Sequence, residues 1–179
     1  MELIIPMEPI IREQVFDSEE FTYQLKWDGV RMLTYSGKSR VELINKRLNN
    51  RTAQYPELQA LNSLLHGRQV ILDGEIVTFK DSKVSFPAIM RRDNARTEKS
   101  IAMLLKEVPV NYIVFDLLWD EDKDLRTLSL MERKQRLQDI LTPQDGIHII
   151  EDFPSGSSLF TAVQGANLEG IVAKKKASP

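Results

Sequence analysis

Apolar and polar residues alternate through Phe21-Thr22-Tyr23-Gln24-Leu25-Lys26, the alternation breaks at Asp28-Gly29, and an extended run resumes as Met32-Leu33-Thr34-Tyr35. A period of two marks a strand with one buried face. Asp-Gly between two such runs predicts a hairpin. Strands joined by tight turns pair antiparallel, so this stretch limits the folds open to the chain. Strands are expected at 21–26, 30–36, 40–45, 69–73, 75–79, 111–118, 147–150 and 170–174. Helices are expected at 56–65, 97–106, 129–141 and 157–165. Pro56 suits a first helical turn, Leu58, Leu61, Leu64 and Leu65 form a stripe, and Gly67 ends it. Ser129 followed by Glu132 reads as a capping box, with Leu130, Leu137, Ile140 and Leu141 facing the core. Clustered strands with interspersed helices predict an α+β domain with mainly antiparallel sheets. The regular alternation of a doubly wound sheet and a Gly-rich phosphate loop are both missing.

Composition narrows the chemistry. A chain of 179 residues buries one sizeable core. It has no cysteine, so disulfides and thiolate chemistry are excluded, and its only histidines are His66 and His148, which support neither a histidine metal cluster nor a Ser-His system. No apolar run spans a bilayer and no signal-peptide pattern opens the chain, so the cytoplasm is the expected compartment and no membrane partner is expected. A net charge of −2 argues against nonspecific coating of nucleic acid. Basic residues nevertheless gather at Lys38, Arg40, Lys46, Arg47 and Arg51, at Arg91, Arg92, Arg96 and Lys99, and at Lys174-Lys175-Lys176. Such clusters fit local phosphate binding, although each alone fits a solvated face equally.

Four segments carry possible chemistry. Lys26 closes the first alternating run beside Arg31. A lysine fixed at a rigid turn near another cation suits an amine nucleophile, whereas a surface hairpin explains the same residues without chemistry. Gln24 shares a strand face with Lys26, so both are expected to look into a cleft or solvent, where the Gln24 amide can read a base edge. Asp73 and Glu75 interrupt the apolar run Val70–Val77; Asp73 suits a turn, but Glu75 inside a strand is costly unless it is paired, hydrogen-bonded or bound to metal. Phe115 lies in the apolar run Asn111–Trp119 and is either core or a base-stacking ring. Glu169-Gly170 opens the last strand, which ends at Lys174-Lys175-Lys176. Glu169 suits a hard divalent cation and Lys174 a phosphate. Strict alternation sets these two on opposite faces, which a bulge or strand end would reconcile.

Together these segments resemble the covalent nucleotidyltransferases, namely ATP-dependent DNA ligases, RNA ligases and mRNA capping enzymes. Lys26-Trp27-Asp28-Gly29-Val30-Arg31 resembles the family's nucleophile motif, and Leu72-Asp73-Gly74-Glu75, Phe115-Asp116-Leu117-Leu118 and Glu169 to Lys174 resemble three later motifs. Phe-Asp-Leu-Leu-Trp, followed by Leu125-Arg126 and Glu132-Arg133-Lys134, is most similar to the adenylation domain of bacterial ATP-dependent DNA ligases, including the end-joining type.

The resemblance implies an ATP-grasp-like fold with antiparallel sheets flanked by helices. It implies attack of Lys26 on ATP, a lysine–AMP intermediate and release of pyrophosphate. In a complete enzyme AMP then passes to the 5′-phosphate of nicked double-stranded DNA for sealing, in repair, replication or recombination. By the same resemblance, Gln24 and the Leu25 backbone read adenine, Phe115 covers it, Glu75 bonds ribose, Arg31, Lys46 and Lys174 attend ribose or phosphates, and Glu169 supports Mg²⁺ or Mn²⁺. A monomer is expected, with any repair or end-joining partners unspecified. An RNA ligase, a GTP-using capping domain and a binding module without catalysis are the alternatives. There are departures from the family pattern. Gln24 stands where many relatives carry Glu, Lys46 or Arg47 stands at an arginine position, and Leu48 replaces a glycine. Ala177-Ser178-Pro179 leads toward a fifth motif whose two lysines are missing, as is the oligonucleotide-binding barrel that follows it, so residues 1–179 are expected to be a truncated adenylation domain that seals nicks poorly or not at all.

Overall fold

The computed structural model describes residues 1–179. In chain order the elements are β1 (Phe21–Lys26), β2 (Val30–Gly37), β3 (Arg40–Asn45), α1 (Ala60–Leu64), β4 (Val70–Val77), β5 (Phe79–Lys80), β6 (Lys83–Val84), α2 (Phe86–Asp93), α3 (Glu98–Glu107), β7 (Asn111–Asp120), β8 (Lys123–Asp124), α4 (Leu130–Ile140), β9 (Ile147–Ile149), α5 (Gly156–Gly165) and β10 (Gly170–Lys175). The main sheet runs β3-β2-β4-β7-β8, with β9 joining β7 in parallel, while β1 and β10 form a separate antiparallel pair. The expected α+β class with mainly antiparallel sheets is present. No helix is long and apolar enough to cross a membrane.

The core follows strand parity except in β7, where a register shift past Phe115 lets both Val114 and Leu117 face it. Met32, Leu43, Leu72, Val114 and Leu117 meet Leu58, Leu61, Leu65 and Leu137 from the helical segments in one apolar cluster. On the second sheet, Tyr23 packs with Leu159 and Val163 of α5, and Leu25 and Phe153 border them. Helix α4 carries the expected capping box: Ser129 accepts from the Glu132 N–H, and the Glu132 carboxylate accepts from the Ser129 N–H at 2.9 Å.

Several sequence expectations are corrected. Residues 21–36 form no hairpin, because β1 pairs with β10 and β2 pairs with β3 and β4. Gly29 lacks the positive φ that a hairpin turn of this kind requires. It serves a close approach instead: a Cβ there would lie 2.3 Å from the Ile76 carbonyl oxygen. Asp73-Gly74 is likewise no turn. The two strands expected at 69–73 and 75–79 are one strand, β4, with register shifts against β7 on either side of Leu72-Asp73. A Cβ on Gly74 would meet the Tyr112 ring and the Ile113 carbonyl, each at 2.6 Å.

The helix expected over 56–65 begins as a 3₁₀ turn at Pro56–Gln59 and becomes α-helical at Ala60. Helix α2 escapes apolar patterning because its buried positions are Ile89, Arg92 and Asp93. Arg92 therefore does not belong to a phosphate-binding patch. It is 1% exposed, and it donates to the Gln54 and Val108 carbonyls and pairs with Glu57.

Candidate active site

Register decides which residues share a face. Thr22, Gln24 and Lys26 stand opposite Lys174, Val172 and Gly170, and directly opposed residues in an antiparallel pair lie on one side. Tyr23 and Leu25 occupy the other side, against α5. The first side looks across to the main sheet, since the Lys174 Nζ lies 4.2 Å from the centroid of the Phe115 ring on β7. The seam between the two sheets thus gathers Gln24, Lys26, Phe115 and Lys174.

Lys26 sits at the mouth of the seam, its side chain 42% exposed, and forms an ion pair with Glu169. Glu169 reaches Lys26 because it precedes β10 and escapes the strand's alternation, so a strand end reconciles it with Lys174. Asp28 is close by, and its carboxyl is pushed upward by burial and by Glu169. Gln24, expected at a cleft or in solvent, is 1% exposed and donates from Nε2 to Asp152 at 2.8 Å. The Leu25 side chain points away from the seam. Its peptide groups project from the same edge as those of Tyr23, which exchanges two backbone hydrogen bonds with Phe153.

On the main sheet, Arg31 stands opposite Glu75 and binds Asp73 through two hydrogen bonds of 3.0 and 2.6 Å. Asp73 is thus the buried partner of Arg31, a role its turn-like sequence context conceals. Arg31 also donates to the Met7 carbonyl, and its guanidinium carbon is 5.4 Å from the Phe115 ring centroid. Lys46 reaches Glu8 at 3.2 Å. Residues before β1, unassigned by sequence reasoning, thereby run past two of the expected phosphate contacts, anchored by buried Ile4 and its N–H bond to the Tyr35 hydroxyl. Leu48, at the position where the resemblance expects glycine, has φ +60°, a left-handed conformation that is unfavourable for leucine.

Glu75 forms no ion pair, and burial pushes its carboxyl up to about 8. Lys174 also forms none, and burial pulls its ammonium down to about 8. The signs follow from proton linkage. Folded Glu75 keeps a proton that the unfolded chain releases between its ordinary value of 4.5 and about 8, so its contribution to stability falls as pH rises through that window. Between about 8 and 10.5 the unfolded chain holds the extra proton at Lys174, so stability rises with pH there. Denaturant melts of Glu75→Gln should show less loss of stability between pH 5 and 8 than the parent chain; an unchanged slope would assign the effect elsewhere.

Two more ionic contacts brace the seam from α4. Arg133 grips Asp116, next to Phe115, at 2.8 and 2.9 Å. Lys134, buried beside it, forms an ion pair with Asp152. In the sequence Asp116, Arg133 and Lys134 stand out only as parts of motifs, and Asp152 not at all, since a single acid in a loop carries no periodic signal. A shallow apolar recess of about 300 Å³, lined by Leu25, Trp27, Phe79, Ile113, His148 and Phe153 among others, opens beside the seam. None of the charged residues above lines it.

The oxygen donors near Lys26, namely Glu169, Asp28 and Glu75, suit a hard divalent cation. They form no compact three-acid cluster, so Glu169 would have to share such an ion with oxygens of a bound substrate.

Residues 6–179 match the family described as the ATP dependent DNA ligase domain. A DNA ligase of Saccharolobus shibatae is 27% identical over 187 residues, covering 97% of this chain and 31% of that protein. The chain thus spans about a third of the length of such curated relatives. Among solved structures, mycobacterial DNA ligase D complexed with ATP and MES is 26% identical with a TM-score of 0.72, covering 90% of this chain and 50% of that one. The ligase domain from M. tuberculosis LigD gives 26% and 0.73 at the same coverage. The seam geometry, the fold and the family match agree, and the chain belongs to the ATP-dependent DNA ligase domain family.

Proposed function

We propose that this chain is a nucleotidyltransferase domain that takes AMP from ATP onto Lys26. The observation that carries this reading is the lysine at the seam mouth, on the same strand face as buried Gln24 and on the side of the β1–β10 pair from which Lys174 reaches the Phe115 ring. The Lys26 amine attacks the α-phosphorus; a P–N bond forms and the P–O bond to pyrophosphate breaks. The proton leaves to Glu169 or solvent, and pyrophosphate departs with the bond pair. Positioning and neutralisation of phosphate charge do most of the work in such transfers.

Phe115 would stack adenine in the place now taken by the Lys174 ammonium, with the Leu25 peptide edge and Gln24 meeting the base. Arg31 and Lys46 would exchange Met7 and Glu8 for ribose or phosphate oxygens, and Glu75 would bond a ribose hydroxyl. Glu169 is the residue that would hold Mg²⁺ or Mn²⁺, which when bound neutralises phosphate charge. In a complete ligase the AMP passes to the 5′-phosphate of a DNA nick and is displaced by the 3′-hydroxyl. Nicked duplex DNA is the proposed partner, met by a cytoplasmic, nucleoid-associated monomer.

Intact-mass measurement after incubation with ATP and Mg²⁺, beside a parallel incubation with GTP, tests the reading. A gain of one AMP from ATP and no nucleotide adduct from GTP is expected. Adduct formation from GTP alone would move the chain to the capping class.

A further inference from the structure

We infer that Asp152 is a positioning residue that sets the nucleobase preference of the site by fixing which end of the Gln24 amide faces the seam. The inference rests on the reading of Gln24 as the residue that meets the base.

Asp152 lies in the connection between β9 and α5, outside every motif discussed above. One of its oxygens, Oδ1, accepts from Gln24 Nε2 at 2.8 Å and from Thr22 Oγ1 at 3.1 Å. The other, Oδ2, forms the ion pair with Lys134, whose side chain is 3% exposed. An ionised carboxylate only accepts hydrogen bonds. Gln24 must therefore offer Asp152 its NH₂ group, and a flipped amide would set two acceptors against each other beside a buried ammonium. Lys134 keeps Asp152 ionised and in place, and Thr22 fills its remaining acceptor capacity.

What remains of Gln24 is the carbonyl Oε1. No donor of the chain bonds to it, although the residue is 1% exposed. An acceptor left unpartnered on the side that faces the seam is open to a donor from the bound base. A purine bearing a 6-amino group supplies one. A purine bearing a 6-oxo group presents an acceptor at that position, with its N1–H donor one ring atom away, and is disfavoured. A free glutamine could turn over and serve either base, so the discrimination belongs to the clamp on Gln24.

Binding of ATP and of inosine triphosphate, which differ in the 6-amino and 6-oxo groups, should be measured for the parent chain, for Asp152→Asn, and for the exchanged pair Gln24→Glu with Asp152→Asn. The parent is expected to prefer ATP. Asp152→Asn can donate or accept, frees the amide to turn, and should cut the ATP-to-ITP preference roughly ten-fold, the worth of one hydrogen bond correctly made. The exchanged pair keeps one negative charge in the same hydrogen-bonded group and restores a side chain at position 24 that only accepts, so the preference should return. It also carries the test if the single variant fails to fold, because a packing role for Asp152 would not predict recovered selectivity. An unchanged preference in Asp152→Asn, or no preference for ATP in the exchanged pair, overturns the inference while ATP binding by the parent stands. Failure of the parent to bind ATP overturns the nucleotidyltransferase reading and this inference with it.

Discussion

Lys26→Ala should gain no AMP under conditions that load the parent chain, and its melting temperature should barely move. The first half follows from the chemistry, since no other lysine stands at the seam mouth and the alanine side chain has no nucleophile. The second follows from the surroundings. Lys26 and Glu169 are 42% and 37% exposed, and an ion pair that solvated is worth about 0–1 kcal/mol. Lys26→Arg sharpens the test, because a guanidinium keeps the charge and the contact to Glu169 but does not deprotonate in proteins. It should be as inert as the alanine variant. Intact mass reads the adduct and a thermal melt reads the fold. An AMP adduct on either variant would place the nucleophile elsewhere.

The largest stability effect is expected at Arg133. Its guanidinium and the Asp116 carboxylate are both buried and share two hydrogen bonds, and a third runs from Arg133 to the Leu128 carbonyl. Arg133→Leu strands Asp116 in the interior, a change that costs about 3–5 kcal/mol. Removing both charges with Arg133→Leu and Asp116→Leu should cost clearly less, since no unpaired charge is left. Urea melts of the two single variants and the double variant close the cycle. Equal destabilisation by single and double variants would show that packing, not charge, carries the loss. Because Asp116 adjoins Phe115, the single variant should also weaken nucleotide binding.

The residues around this site differ in how plainly the sequence announces them. Period two gave the faces of β1 correctly, with Tyr23 and Leu25 against α5, but it says nothing about which strand will be the neighbour. The Asp-Gly pairs at 28–29 and 73–74 read as turns because turn chemistry favours those residues. Here the glycines answer to crowding by Ile76 and Tyr112, atoms distant in sequence. Lys26, Glu75 and Phe115 stood out because each is unusual in its strand. Lys134 and Asp152 did not, since a charged residue on an amphipathic helix or in a loop looks solvated until its partner is known. Helix α2 is silent in the sequence for the same reason, its inward face being built partly from Arg92 and Asp93. Patterns along the chain report local environment, while ion pairs closed across the fold leave no periodic trace.

Lys26 and Glu169 are 143 positions apart, and the β1–β10 ladder that brings them together is among the most nonlocal in the molecule. Such pairings close late, after loop entropy has been overcome. During synthesis the strands of the main sheet emerge before β10. One wall of the seam can therefore form on the ribosome while the other waits for β10. Lys26 is made well before Glu169, Lys174 and the Val172 strand, and acquires them as neighbours only once β10 has emerged. A chain not yet extended through β10 thus carries Lys26 without the neighbours on which the proposed transfer depends.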